Sequence, residues 1–279
     1  MNFTLQDPTG QAYEAYAYTG GKAFDASQPT VVFIHGVLGD HSVWILQTRY
    51  LAHHGLNVLA VDLPGHGRSG GEAPRSVEEA SQFIQALLDA AGVQRAALVG
   101  HSWGSLIALE TAGRLKNRIS HIALVGTAFP MKVSPALLES SLNQPNKAIE
   151  MINVFSRATL AAPPSALGPG TWVLGTNTAL CRRILASNPN VNVLHRGFVA
   201  CDSYANGLQA MAELTCPVLF VLGNQDQMTT PRAAQSLIQQ ARDSGKTHEV
   251  VMVPMGHHQM TESPQETLHA LQRFLTTRL

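Results

Sequence analysis

The chain has 279 residues, of which 45% are hydrophobic and 14% charged, a balance that excludes an intrinsically disordered protein and allows a substantial core. Lys plus Arg equals Asp plus Glu at 19 each, so no net field draws the chain to nucleic acid or to an anionic membrane. A neutral or apolar small molecule is the partner that this balance fits.

Cys181, Cys201 and Cys216 are an odd set without metal-ligand spacing, and they read as buried thiols in a reducing compartment. The opening MNFTLQDPTG has neither the basic region nor the apolar core of a signal peptide. No apolar run approaches the ~20 residues that span a bilayer. The expectation is a cytoplasmic protein.

In chain order, Phe3–Gln6 and Gln11–Tyr18 alternate in polarity around Asp7-Pro8-Thr9-Gly10 and predict a hairpin. Six short apolar runs rich in β-branched residues follow: Val31–His35, Asn57–Val61, Ala96–Val99, Ile122–Val125, Val218–Leu222 and Glu249–Val253. Such runs suit strands buried on both faces. Helical patterns fall at Ser42–His54, Val77–Ala91, Trp103–Lys116, Arg232–Asp243 and Gln265–Leu279. Ser76 and Glu79 have capping-box spacing ahead of the second, and Gly92 ends it. The alternation predicts an α/β fold, a mostly parallel sheet with helices on both faces. Residues 127–216 far exceed the dozen or so that a parallel crossover needs. They predict a mainly helical lid or cap inserted into a core made of residues 1–126 and 217–279.

Val99-Gly100-His101-Ser102-Trp103-Gly104 places G-x-S-x-G between an apolar strand and a helix, the context of a nucleophile elbow. Gly67-Arg68-Ser69-Gly70-Gly71 also matches the pattern, but without a strand directly before it or a helix directly after. Ser69 therefore reads as a loop residue.

Four blocks together resemble the α/β-hydrolase superfamily: Phe33-Ile34-His35-Gly36-Val37-Leu38-Gly39-Asp40, Asp62-Leu63-Pro64-Gly65-His66-Gly67-Arg68-Ser69, the elbow, and Pro254-Met255-Gly256-His257-His258. The resemblance runs from near residue 30 to the C-terminus, and residues 127–216 correspond to the superfamily's variable lid. It implies Ser102 as nucleophile, with the backbone N–H groups of Val37 and Trp103 as the oxyanion hole. The base must titrate near neutrality, hence a histidine; among 12 histidines, His257 stands where the superfamily has its base, with its neighbour His258 as rival. Asp226 follows the strand Val218–Leu222, and the order Ser, Asp, His fits the superfamily; Asp202 and Glu213 fall before that strand. Asp62–Ser69 reads as turn chemistry.

The activity implied is hydrolysis of carboxylic esters with small to medium apolar parts, through an acyl-enzyme on Ser102 and without cofactor or metal. Trp44, Phe129, Met131, Phe155 and Trp172, together with the Trp103 ring, are the expected pocket residues. Thioesters, acyl transfer and cofactor-free haloperoxidase-type chemistry would use the same three residues. Carbon–carbon hydrolases of the superfamily often carry tryptophan after the histidine, where this chain has His258. A non-catalytic binding protein on this fold is the reading from a different class.

Overall fold

The computed structural model describes residues 1–7, 9–158 and 173–276. Eight strands form one sheet in the order β1-β2-β4-β3-β5-β6-β7-β8: β1 (Asn2–Gln6), β2 (Ala12–Tyr18), β3 (Thr30–Ile34), β4 (Asn57–Val61), β5 (Ala96–His101), β6 (Ile119–Val125), β7 (Val218–Gly223) and β8 (His248–Val253). β1 pairs antiparallel with β2, and β2 with β4; all the remaining pairings are parallel. The hairpin turns where Asp7 Oδ1 accepts from the N–H groups of Thr9 and Gln11, with Gly10 at φ +87°.

Every residue of β3 through β7 is buried, which explains why these strands read as continuous apolar runs. The period of two is still visible in what each side chain touches. Val32 and Ile34 point into one core, Val31 and Phe33 into the other. β6 begins three residues before the apolar run that announces it. Ser120 and His121 interrupt the run, yet they are buried within the strand.

Helices cover both faces. α2 (Val77–Ala90), α3 (Trp103–Leu115), α8 (Gly207–Glu213) and α9 (Gln235–Asp243) close over the first core; α1 (Ile45–His53) and α11 (Pro264–Thr276) close over the second. Ser76 Oγ accepts from the Glu79 N–H as the capping box predicts, but the Glu79 carboxylate takes the N–H of Arg75 instead of that of Ser76. Gly92 adopts φ +69° just past the helix.

Between β6 and β7 the chain folds as α4 (Pro135–Asn143), α5 (Pro145–Ser156), α6 (Val173–Ser187), α7 (Val193–Ser203) and then α8. α4 to α7 have a third core of their own, with Leu137, Ile149, Ile184 and Leu194 packed over Leu38 and Ala73. α8 instead packs on α3 and α9, beside the sheet. A four-residue α10 (Gln259–Glu262) lies between β8 and α11. Among the described residues no helix is long and apolar enough to cross a membrane.

Because β4 and β5 leave β3 in opposite directions, the strand order reverses at β3. In an open α/β sheet, ligands bind beyond the carboxyl ends of the strands at such a point. The loops leaving β3 and β5 carry Gly36–Gly39 and Ser102.

Candidate active site

Ser102 sits at φ +53°, ψ −120°, between β5 and α3. This conformation costs a non-glycine residue about 1–3 kcal/mol and persists only where its surroundings impose it. Its N–H donates to Val125 O at 2.9 Å, and its carbonyl accepts from the Ser105 N–H at 2.8 Å. A methyl group on Gly100 would strike the backbone of Gly104, and one on Gly104 the carbonyls of Ile34 and His35. The two motif glycines are therefore steric requirements of the turn. Gly36 passes as closely over the elbow: a Cβ there would lie 3.1 Å from Ser102 Cβ. Trp103 opens α3, so its N–H has no acceptor within the helix.

His257 is buried with Nδ1 2.8 Å from Asp226 Oδ2. Asp226 Oδ1 accepts the N–H groups of Met228 and Thr229, both at 2.8 Å. Thr229 Oγ1 lies 2.8 Å from Asp226 Oδ2 and 3.0 Å from His257 Nδ1, and Gln259 Nε2 reaches the same carboxylate at 3.4 Å. Burial works against the Asp226 charge, but the adjoining His257 and these hydrogen bonds outweigh it and hold the carboxyl below its usual range. The loop carrying His257 is tied from behind. Its N–H donates to Ser156 O at 2.7 Å, and Glu262 accepts the N–H groups of Ala158 and His258 at 2.9 and 3.1 Å. The residues just past α5 and the loop of His257 thus share one carboxylate.

The neighbouring histidines are held neutral. Burial pushes His101 and His66 down to about 3, and His35 and His258 also fall below their ordinary value. His101 Nε2 lies 2.8 Å from the His257 carbonyl. His35 Nε2 accepts from the Leu63 N–H, which leaves Nδ1 to donate to Gly36 O. His258 does not contact a carboxylate side chain in the way His257 does; its ring lies against those of His101 and His257. Ser69 donates to Asp62 O at 2.6 Å and accepts from the Tyr16 N–H at 2.8 Å, so it is a turn staple far from this constellation in role.

Ser102, His257 and Val37 border one cavity of about 320 Å³ together with Met131 and Phe155. Three expected pocket residues lie elsewhere. Trp44 is fully buried against Phe33 and edge-on to His101, because its position faces the sheet rather than the cavity. Phe129 packs edge-on against Tyr204 and over Gly207, where a side chain would leave no room for its ring. The Trp103 ring is likewise buried, facing His66. Trp172 lies outside the described residues. The sequence reading missed Thr229 and Glu262. Thr229 was within reach, since an Asp whose carboxylate caps the N–H groups two and three residues on is an Asx turn; Glu262 carries no such local signal.

The model of the family described as alpha/beta hydrolase fold matches residues 29–264. Among curated relatives, the mouse sn-1-specific diacylglycerol lipase ABHD11 is 30% identical over 46% of this chain and 41% of its own. Lipase LipV of Mycobacterium tuberculosis is 34% identical over 36% of this chain and 38% of its own. The acetoin-cleaving-system dihydrolipoyllysine-residue acetyltransferase component of Pseudomonas putida is 36% identical over 35% and 26%. The chain thus spans less than half the length of these relatives. Among solved structures, an esterase from Exiguobacterium antarcticum superposes with a TM-score of 0.80 at 17% identity, covering 99% of this chain and 100% of its own. The enol-lactonase of Burkholderia xenovorans superposes with a TM-score of 0.78 at 20% identity, covering 95% and 97%. With the family model spanning most of the sequence and the fold matched end to end, this chain belongs to the α/β-hydrolase fold family.

Proposed function

We propose that this chain hydrolyses carboxylic esters through an acyl-enzyme on Ser102, with His257 as general base and acid and Asp226 as the carboxylate that orients it. The observation that carries the reading is the 2.8 Å contact between His257 Nδ1 and a buried, multiply hydrogen-bonded Asp226. That contact fixes the proton on Nδ1 and leaves Nε2 to take the Ser102 proton. Ser102 Oγ attacks the carbonyl carbon, and the N–H groups of Val37 and Trp103 receive the oxyanion. The tetrahedral intermediate collapses, the carbon–oxygen bond to the alcohol breaks, and His257 returns the proton to the departing alkoxide. Water, deprotonated by His257, then attacks the acyl-enzyme, releasing the acid and restoring Ser102.

These steps move only protons and an acyl group, so the chain's own residues suffice. The helices α4–α7 over the site act as the lid. Relatives named as lipases and a structural neighbour named as an esterase support ester bonds as the substrate class. Three buried, unpaired cysteines fit the reducing interior of a cell.

The test is hydrolysis of p-nitrophenyl esters by wild type and Ser102→Ala, alongside labelling with a fluorophosphonate. The expected result is turnover and a Ser102 adduct in wild type, and loss of about 10⁴-fold or more in kcat in the variant. Turnover undiminished in Ser102→Ala would end the proposal.

A further inference from the structure

Ser102 borders two cavities of unequal size. Besides the one of about 320 Å³, a second of about 50 Å³ is walled by the loop Gly36–Gly39, by Ile152 of α5 and by Leu180 and Cys181 of α6. Val37, Ser102, Phe198, Met228 and His257 border both, so three apolar side chains stand as the partition and the candidate reacting groups lie at the junction.

The two differ in the exposure of their walls as well as in volume. Lys132, Ser134, Phe155 and Gln227 of the larger cavity are exposed, whereas no residue lining the smaller one is. Resting on the ester-hydrolase reading, we infer that the small cavity is the acyl subsite and the large one the alcohol subsite, so that the substrates are short-chain acyl esters of bulkier alcohols.

The direction follows from the order of events. The alcohol departs first, and water must then reach the acyl-enzyme while the acyl group stays in place. The larger chamber, rimmed by the exposed Lys132, Ser134, Phe155 and Gln227, is the route for exit and entry that leaves the bound acyl group in place. The size follows by proportion. An apolar cavity of about 150 Å³ accepts benzene, six heavy atoms. A third of that volume holds about two carbons beyond the carbonyl, an acetyl or propionyl group. Twice that volume holds an alcohol of one or two rings. The walls agree in character, since Leu38, Val43, Ile152 and Leu180 line the small chamber with hydrocarbon.

Adjacent residues of α5 separate the two chambers experimentally. Ile152 lines the small cavity and Met151 the large one, and both are only half-buried. The experiment measures kcat/KM on p-nitrophenyl esters from acetate to decanoate, and on acetates from ethyl to naphthyl, for wild type, Ile152→Ala and Met151→Ala. Circular dichroism and urea midpoints establish that each variant is folded.

In wild type, kcat/KM should fall by about tenfold or more once the acyl chain outgrows the small chamber, while the acetate series varies less. Ile152→Ala should move the acyl optimum to longer chains and leave the alcohol profile alone; Met151→Ala should do the reverse. A wild-type optimum at octanoate or decanoate, or an acyl profile that Met151→Ala moves and Ile152→Ala does not, overturns the assignment while the ester reading stands. No turnover and no phosphonate adduct in folded wild type overturns both. Phosphonates bearing methyl or octyl on phosphorus give a readout that does not require turnover, with methyl expected to label Ser102 faster.

Discussion

At Asp226 one carboxylate oxygen is taken up by two backbone N–H groups, and the other meets His257 and Thr229. Asp226→Asn would place an amide where the acceptor for Nδ1–H stands and favour the wrong tautomer of His257. The expected loss is about 10⁴-fold in kcat with the fold intact, read by steady-state kinetics and circular dichroism. Thr229→Val removes a single hydroxyl from the same cluster. One buried hydrogen bond is worth about 0.5–1.5 kcal/mol net, so kcat should fall about two- to tenfold and KM should hardly move. If kcat were unchanged, Thr229 would be a structural residue of the turn and no more. Gly104 makes a contrasting point, because its role is absence of bulk: Gly104→Ala drives a methyl into the carbonyls of β3 and should prevent the elbow from closing.

The element-scale question is how the helices over the site are held to the sheet. One tie is Glu262, which collects N–H groups from Ala158, just past α5, and from the loop of His257. Glu262→Gln presents an NH2 group to donors and strands at least one of them. An unsatisfied buried donor costs about 1–3 kcal/mol, so the urea midpoint and kcat should drop together. Retention of both would show that the two segments are positioned by packing alone.

A second tie is Arg183 of α6 on Asp40, at 2.6 Å. Arg183 is largely exposed while Asp40 is buried but keeps its hydrogen bonds from Ser42, so the pair should contribute little more than an exposed one, about 0–1 kcal/mol. Arg183→Ala should leave global stability nearly unchanged while faster hydrogen exchange appears in α6 alone.

For the whole molecule, pH is the informative variable. His66 and His101 are held at about 3 by burial, against 6.5 when exposed. A base with a lowered folded pKa is protonated more readily in the unfolded chain. Its neutral form is therefore accommodated without cost above pH 6.5, and stability falls progressively as pH drops from there towards 3. Each group should cost about 1.5 kcal/mol between pH 6.5 and 5. Urea denaturation at the two pH values checks the slope, and His66→Gln should flatten it. Asp226 has the usual carboxylate sign: its lowered folded pKa adds stability above its unfolded value that is lost on further acidification.

Strand identity, the helices on either side, the elbow and the order of Ser102, Asp226 and His257 are all legible along the chain. Those features are local or sequential: β-branched runs, glycines at fixed offsets, loops after strands. What lay beyond such reading involves distances across the fold. Ser120 and His121 look polar for a strand, yet β6 runs through them: Ile119 pairs with Ala96 of β5, and the register shifts across Ser120 and His121 before Ile122 pairs with Leu98. Trp44 and Phe129 look like pocket aromatics, but which core an aromatic joins depends on the direction its element faces once packed. The Glu262 tie links residues about a hundred positions apart. The two chambers beside Ser102 exist only because α5 and α6 settle over the loops of β3 and β5. Local stereochemistry writes the elements and the elbow into the sequence, whereas cavity shape is what remains after several distant elements have packed, and no short stretch of residues encodes it.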